Sequence, residues 1–252
     1  MDIDVSESPL IHFDAAGRLC NLADRVATGT VVSGPAGISA DYVLRLRPPG
    51  GSSAYARTSG SCRVHFTETS LKGAFVIDLE RREDPRGFFA RAFCQNEFKA
   101  HGLNPIIAQA NIASNLKKGT VRGMHFQYPP VAEAKLVRCT RGGLLDTIVD
   151  LRPESATYLQ HVSIELNDEN QRALYVPERF AHGYQALCDN TDTSYQVGEF
   201  YTPEAEGGLM YNDPRLGLNW PIPVSIISER DQNFPMLDQV ETELKRKMCL
   251  RI

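Results

Sequence analysis

From about residue 64 onward the chain is built of short apolar or alternating runs, separated by turn residues, with almost no helix-length stretch between them. In residues 161–166, alternation puts Val162, Ile164 and Leu166 on one face, as in a half-buried strand. Residues 74–79 and 173–176 read as further strands, the second preceded by the polar turn Asn167-Asp168-Glu169-Asn170 and closed by Pro177. Residues 135–140 and 144–151 flank Gly142-Gly143, a pair that predicts a tight hairpin because both glycines accept positive φ. Parallel strands need crossovers of about a dozen residues or more, and this spacing does not provide them. The pattern predicts an all-β antiparallel sandwich or barrel.

Two short helices are expected. One covers residues 97–101 and closes at Gly102, a residue suited to the left-handed position after a helix. The other runs from Asp238, where Leu237, Val240, Leu244 and Met248 recur at helical spacing, and is expected to pack on the barrel.

Residues 1–62 read differently. Ser33-Gly34-Pro35-Ala36-Gly37 and Pro48-Pro49-Gly50-Gly51 are turn chemistry, and only residues 42–46 look strand-like. This segment is expected to be a weakly ordered N-terminal extension of open purpose, with residues 63–252 forming the folded domain and its C-terminal helix. A net charge of −4 opposes a nucleic-acid surface. No run approaches the roughly 20 apolar residues that span a bilayer. The acidic start lacks the layout of a secretory signal, and the six cysteines are scattered without a CxxC pair. A cytoplasmic protein with reduced thiols is expected.

Two of the six histidines stand in conspicuous surroundings. In Val121-Arg122-Gly123-Met124-His125-Phe126-Gln127, strand alternation places Arg122 and Met124 on one face and Gly123, His125 and Gln127 on the other. The second, His182, lies in Pro177-Glu178-Arg179-Phe180-Ala181-His182-Gly183-Tyr184. Metal-dependent double-stranded β-helix proteins commonly carry two histidines two apart on one strand face. Here Gln127 takes the second place, and only Glu133 remains as a third ligand beside His125 and His182. Amide oxygen is a poor substitute for imidazole, so no metal is expected. No Gly-rich dinucleotide loop is present, so no nicotinamide cofactor is expected.

Several motifs occur in order over about 170 residues: Asp84-Pro85-Arg86-Gly87-Phe88-Phe89, Gln109-Ala110-Asn111, Gly119-Thr120-Val121-Arg122-Gly123-Met124-His125-Phe126-Gln127 and Lys135-Leu136-Val137-Arg138. The histidine segment 177–184, Tyr201-Thr202-Pro203 with Glu206-Gly207, Asn212-Asp213-Pro214 with Trp220-Pro221, and Ser228-Glu229-Arg230-Asp231 follow. With these, the chain resembles the dTDP-4-dehydrorhamnose 3,5-epimerase family, a metal-free branch of the cupin barrels. The resemblance implies a cupin-type antiparallel double-stranded β-helix, or jelly-roll barrel, with a few short helices. It also implies epimerisation of a nucleotide-linked 4-keto-6-deoxyhexose without a cofactor.

Carried over by position, it makes His125 the general base, oriented by Asp231. Lys135 stabilises the enolate, and Tyr195 is the general acid on the other face. Tyr201 is a second aromatic of the sugar pocket, with Arg122 and His182 near the sugar. Arg86, Phe89, Gln109, Asn111 and Glu206 fall where the family contacts the nucleotide. Arg86 and Phe89 reach over from the partner in a homodimer. In such a sugar C3 and C5 both flank the C4 ketone, so inversion needs a base on one face, an acid on the other and a cation at O4. A buried Asp231 is expected to favour the imidazolium.

Three positions depart from the family pattern. Arg91 stands where an acidic residue is usual, Arg179 where glycine is usual, and Tyr211 where tryptophan is usual. Arg179 predicts a turn built differently from the family's. Inversion at a single centre on another nucleotide sugar, or a non-catalytic sugar-nucleotide-binding cupin, are the alternatives.

Overall fold

The computed structural model describes residues 63–249. The extension 1–62, its strand-like residues 42–46, Cys20 and Cys62 lie outside the described residues. Val64–Glu68 (β1) and Phe75–Leu79 (β2) form the first pair, and Arg82–Asp84 (β3) with Gly87–Phe89 (β4) a separate ribbon. After the helix Gln95–Ala100 (α1) come Gln109–Asn115 (β5), Val121–Gln127 (β6), Lys135–Arg141 (β7) and Gly143–Asp150 (β8). His161–Asn167 (β9), Ala173–Val176 (β10), Phe180–Ala186 (β11), Thr191–Val197 (β12) and Glu206–Gly208 (β13) follow, and then the helices Glu229–Gln232 (α2) and Leu237–Met248 (α3).

These strands make two antiparallel sheets, one in the order β1-β2-β10-β7-β12-β5 and one in the order β13-β6-β11-β8-β9. The inward faces of both meet in one apolar cluster. Val76, Val137, Cys139, Leu174 and Val176 come from the first sheet, and Leu144, Ile148, Val162, Ile164, Leu166, Phe180 and Tyr184 from the second. Val162, Ile164 and Leu166 share that face as their alternation requires. The result is the antiparallel barrel that the strand spacing predicts, in the jelly-roll form that the family resemblance implies.

Each sheet also has a covered outer face. Phe98 of α1 packs with Ile77, Leu136, Ala173 and Tyr175 outside the six-stranded sheet. On the other side α3 lays Leu237, Leu244 and Met248 on Met124, Phe126, Val149, Leu151 and Ala181. The helical stripe thus serves packing on the barrel, and burial of each such side chain is worth about 1.5–3 kcal/mol.

Three sequence expectations need correction. Gly142-Gly143 does not join a hairpin: β7 pairs with β10 and β12, whereas β8 pairs with β9 and β11. The link instead carries the chain from one sheet to the other. Only Gly142 has positive φ, +73°, and a Cβ there would meet Thr191 Oγ1 at 2.8 Å. The turn before β11 keeps the left-handed conformation despite Arg179, whose φ is +63°. Its side chain offsets that strain by donating to Glu154 at 2.7 Å and to the Met248 carbonyl at the end of α3 at 2.9 Å. The third correction concerns β6 and belongs to the site.

Candidate active site

β6 pairs with β11 so that His125 lies opposite His182 and Arg122 opposite Tyr184. Gly123 and Met124 on β6 therefore oppose Gly183 alone on β11, which is a β-bulge. A Cβ on Gly123 would come within 2.5 Å of the Gly183 Cα, so glycine permits this close approach. The consequence overturns simple alternation: because cross-strand partners share a face, Arg122 and His125 both point inward with His182 and Tyr184. Met124 instead joins the outer cluster beneath α3.

Ser228 caps α2, its hydroxyl accepting the Asp231 N–H at 3.1 Å. This Ser-x-x-Asp turn aims the buried Asp231 carboxylate at β6. Oδ1 lies 2.8 Å from His125 Nε2, and Oδ2 accepts the Gly123 N–H at 3.0 Å. With the imidazole proton on Nε2, the lone pair is left on Nδ1. Burial pushes the His125 imidazole below its ordinary value, and the charges of Lys135 and Arg230 act in the same direction. Together they outweigh the hydrogen bond and charge of Asp231, so the net direction is opposite to the one expected from Asp231 alone. Burial also opposes ionisation of Asp231, but the His125 contact and the Gly123 N–H hold its carboxyl below the usual range.

The other sheet supplies the facing groups. Tyr195 on β12 is cross-strand partner to Val137 on β7 and Asn111 on β5, and it packs against the interior cluster. Burial raises its phenol above the ordinary value, helped by Glu133 and opposed by Arg122. Lys135 opens β7 on the same inward face, opposite Val197. Its ammonium lies 3.0 Å from Glu133, with side-chain exposures of only 10% and 13%. The five-stranded sheet thus carries on its inward side an imidazole whose value is lowered, and the six-stranded sheet a phenol whose value is raised together with the Lys135–Glu133 pair. Two titratable groups whose surroundings push them apart are the arrangement that acid–base chemistry uses.

Around this centre Arg122 donates to Asn115 Oδ1 at 2.8 Å, and Asn115 in turn donates to the Tyr184 hydroxyl. His182 Nε2 lies 2.6 Å from the fully buried Asp146. Gln109 accepts the Tyr201 N–H at 2.7 Å, and the Tyr201 hydroxyl donates to Glu206 at 3.1 Å. Arg230 binds Glu206 at 2.9 Å. Gln127, standing where a metal site has its second histidine, accepts the Thr202 N–H and donates to Val131 and Phe200 carbonyls. Among the described residues no three His, Cys, Asp or Glu side chains converge as a metal site would need.

Arg86 and Phe89 stand apart from this group, on the β3–β4 ribbon. The Arg86 side chain is 89% exposed and bonded to Asp84, and Phe89 is 68% exposed. Arg91, the sign-reversed position, is held by Glu97 of α1 at 3.0 Å. Tyr211 offers its carbonyl to the Trp220 indole at 2.9 Å. Sequence reasoning missed Asp146, Glu133 as the partner of Lys135, and Arg230. Asp146 did leave a signal: an acid between Leu144 and Ile148, on the inward side of an apolar strand.

Residues 68–239 match the family model for dTDP-4-dehydrorhamnose 3,5-epimerase. The chain is 40% identical to the enzyme of that name from Methanothermobacter thermautotrophicus over 175 residues, which are 68% of this chain and 94% of the relative. It is 37% identical to the dTDP-4-dehydrorhamnose 3-epimerase of Streptomyces niveus over 168 residues, 66% of this chain and 81% of the relative. The crystal structure of dTDP-6-deoxy-D-glucose-3,5-epimerase from Legionella pneumophila, in complex with dTDP-4-keto-L-rhamnose, superposes with a TM-score of 0.68. That pair is 31% identical, and the match covers 72% of this chain and 97% of the other.

Proposed function

The chain belongs to the dTDP-4-dehydrorhamnose 3,5-epimerase family, and on that premise we propose that His125 and Tyr195 work from opposite faces of a sugar ring held between the sheets. The enzyme is an isomerase that inverts a nucleotide-linked 4-keto-6-deoxyhexose at C3 and C5, as in conversion of dTDP-4-dehydro-6-deoxy-D-glucose to dTDP-4-dehydro-L-rhamnose. The observation that carries the mechanism is the His125–Asp231 pair on the five-stranded side, with Tyr195 and Lys135 on the six-stranded side.

His125 takes the proton from the carbon beside the ketone. The C–H electrons form the enolate double bond, and the carbonyl pair moves onto O4, beside the Lys135 ammonium. The Tyr195 hydroxyl then protonates the same carbon from the opposite face, and the electrons return to re-form the C4 ketone. Each inversion leaves an imidazolium and a phenolate, which exchange protons with solvent before the second. Arg122, His182, Tyr201, Gln109, Asn111 and Glu206 hold the sugar nucleotide. Arg86 and Phe89, exposed on their ribbon, complete the site of a second copy in a homodimer. Residues 63–252 form the catalytic domain, in keeping with relatives that match over nearly their whole length. No helix among the described residues is long and apolar enough to cross a membrane, and we place the enzyme in the cytoplasm.

Turnover of dTDP-4-dehydro-6-deoxy-D-glucose in heavy water tests this reading. Deuterium at both C3 and C5 of the product supports it. Label at one centre only makes the chain a mono-epimerase like the Streptomyces niveus relative in name, and absence of label makes it a binding protein.

A further inference from the structure

We infer that Glu133 is a positioning residue for the epimerisation, anchoring the Lys135 ammonium at the enolate oxygen. This rests on the mechanism proposed above and extends it to a residue outside the acid–base pair.

Lysine is a compact charge on a flexible four-carbon stem, so its ammonium has no fixed place unless something holds it. Lys135 opens β7 on the inward face, and Glu133 holds its Nζ at 3.0 Å. Both side chains are nearly buried. One N–H engaged by the carboxylate leaves two free for the oxygen on which charge develops. The carboxylate weakens the ammonium's field, but misplacing a catalytic group by about 1 Å can cost about 100-fold in rate, so position outweighs field strength here.

The same carboxylate acts on the acid. Tyr195 is half-buried, has Asn111 of β5 and Val137 of β7 as cross-strand partners, and feels the charges of Glu133 and of Arg122 from β6. A carboxylate opposes phenolate formation, whereas Arg122 favours it. Burial is the main reason the phenol's value is raised, and Glu133 adds to it against the pull of Arg122.

The test is Glu133→Gln in the full chain, which keeps the shape and removes the charge, assayed for kcat, KM, pH profile and thermal midpoint. The expected result is a fall in kcat of about 10- to 100-fold with KM little changed. The alkaline limb, where Tyr195 ionises, moves to lower pH, and the thermal midpoint stays in place. Glu133→Asp, which restores the charge on a shorter stem, recovers part of kcat and returns the alkaline limb. An unchanged kcat overturns the inference. So does a loss of kcat that leaves the alkaline limb unmoved and follows a lowered thermal midpoint, which assigns Glu133 a structural role. Failure of the wild type to incorporate deuterium would strike the parent mechanism, and a silent Glu133→Gln in an active enzyme strikes this inference alone.

Discussion

His125 and Asp231 are 106 residues apart in the chain and 2.8 Å apart in the fold. Nothing local connects them. Asp231 reaches the strand because Ser228 starts a single helical turn at the right place, and its second oxygen is fixed by the Gly123 N–H. The carboxylate is thus oriented from both sides before any substrate arrives, and the imidazole inherits that orientation.

His125→Asn removes the base while keeping a polar side chain of similar reach. Product formation is expected to fall by about 100- to 10,000-fold, the usual worth of a positioned general base. Proton NMR in heavy water, following exchange at C3 and C5, reads this directly. Circular dichroism should show the fold retained.

Tyr195→Phe separates deprotonation from inversion. With His125 intact, C–H exchange with solvent continues through return of a proton from the base side, which keeps configuration. Epimer formation is lost. Exchange without inversion, measured on recovered substrate, is the expected signature.

The pH profile follows from the directions of the two shifts. In the proposed mechanism His125 must be unprotonated, and its value is lowered, so kcat/KM should hold down to pH below about 6.5 and fall as pH drops through the lowered value. Asp231 raises the imidazole's value, so Asp231→Asn should carry the acid limb to still lower pH while reducing kcat. The proposed acid, Tyr195, must be protonated, and its value is raised, so activity should persist to about pH 10 before it declines.

Arg179 provides a stability prediction. Arg179→Gly suits the left-handed turn but loses the ties to Glu154 and to the end of α3. Arg179→Ala loses the same ties and keeps the unfavourable φ. Alanine is expected to be less stable than glycine by about 1 kcal/mol, read from denaturant midpoints.

How much of this was legible in the sequence depended on whether the signal was local. The alternation of Val162, Ile164 and Leu166 and the stripe of Leu237, Leu244 and Met248 each report which side of an element is buried, and both held. Gly142-Gly143 marked a reversal correctly, but turn chemistry does not say which strand becomes the neighbour, and β8 joined the opposite sheet. Arg122 was assigned the wrong face because the bulge arises where two strands approach through Gly123 and Gly183, a tertiary fact. The His125–Asp231 pair was reachable only through the family resemblance. The pairing of His182 with Asp146 and of Lys135 with Glu133 required coordinates.

Since the proposed proton acceptor rides on one sheet and the proposed donor on the other, the gap between them is set by the girth of the filling. Val137, Ile148, Leu174 and Phe180 act as spacers between the two. A well-packed interior passes on a change of even one methylene rather than absorbing it. Trimming or fattening these spacers is therefore expected to shift His125 and Tyr195 relative to one another. A substitution in the filling is therefore expected to change turnover with every polar group left as it is.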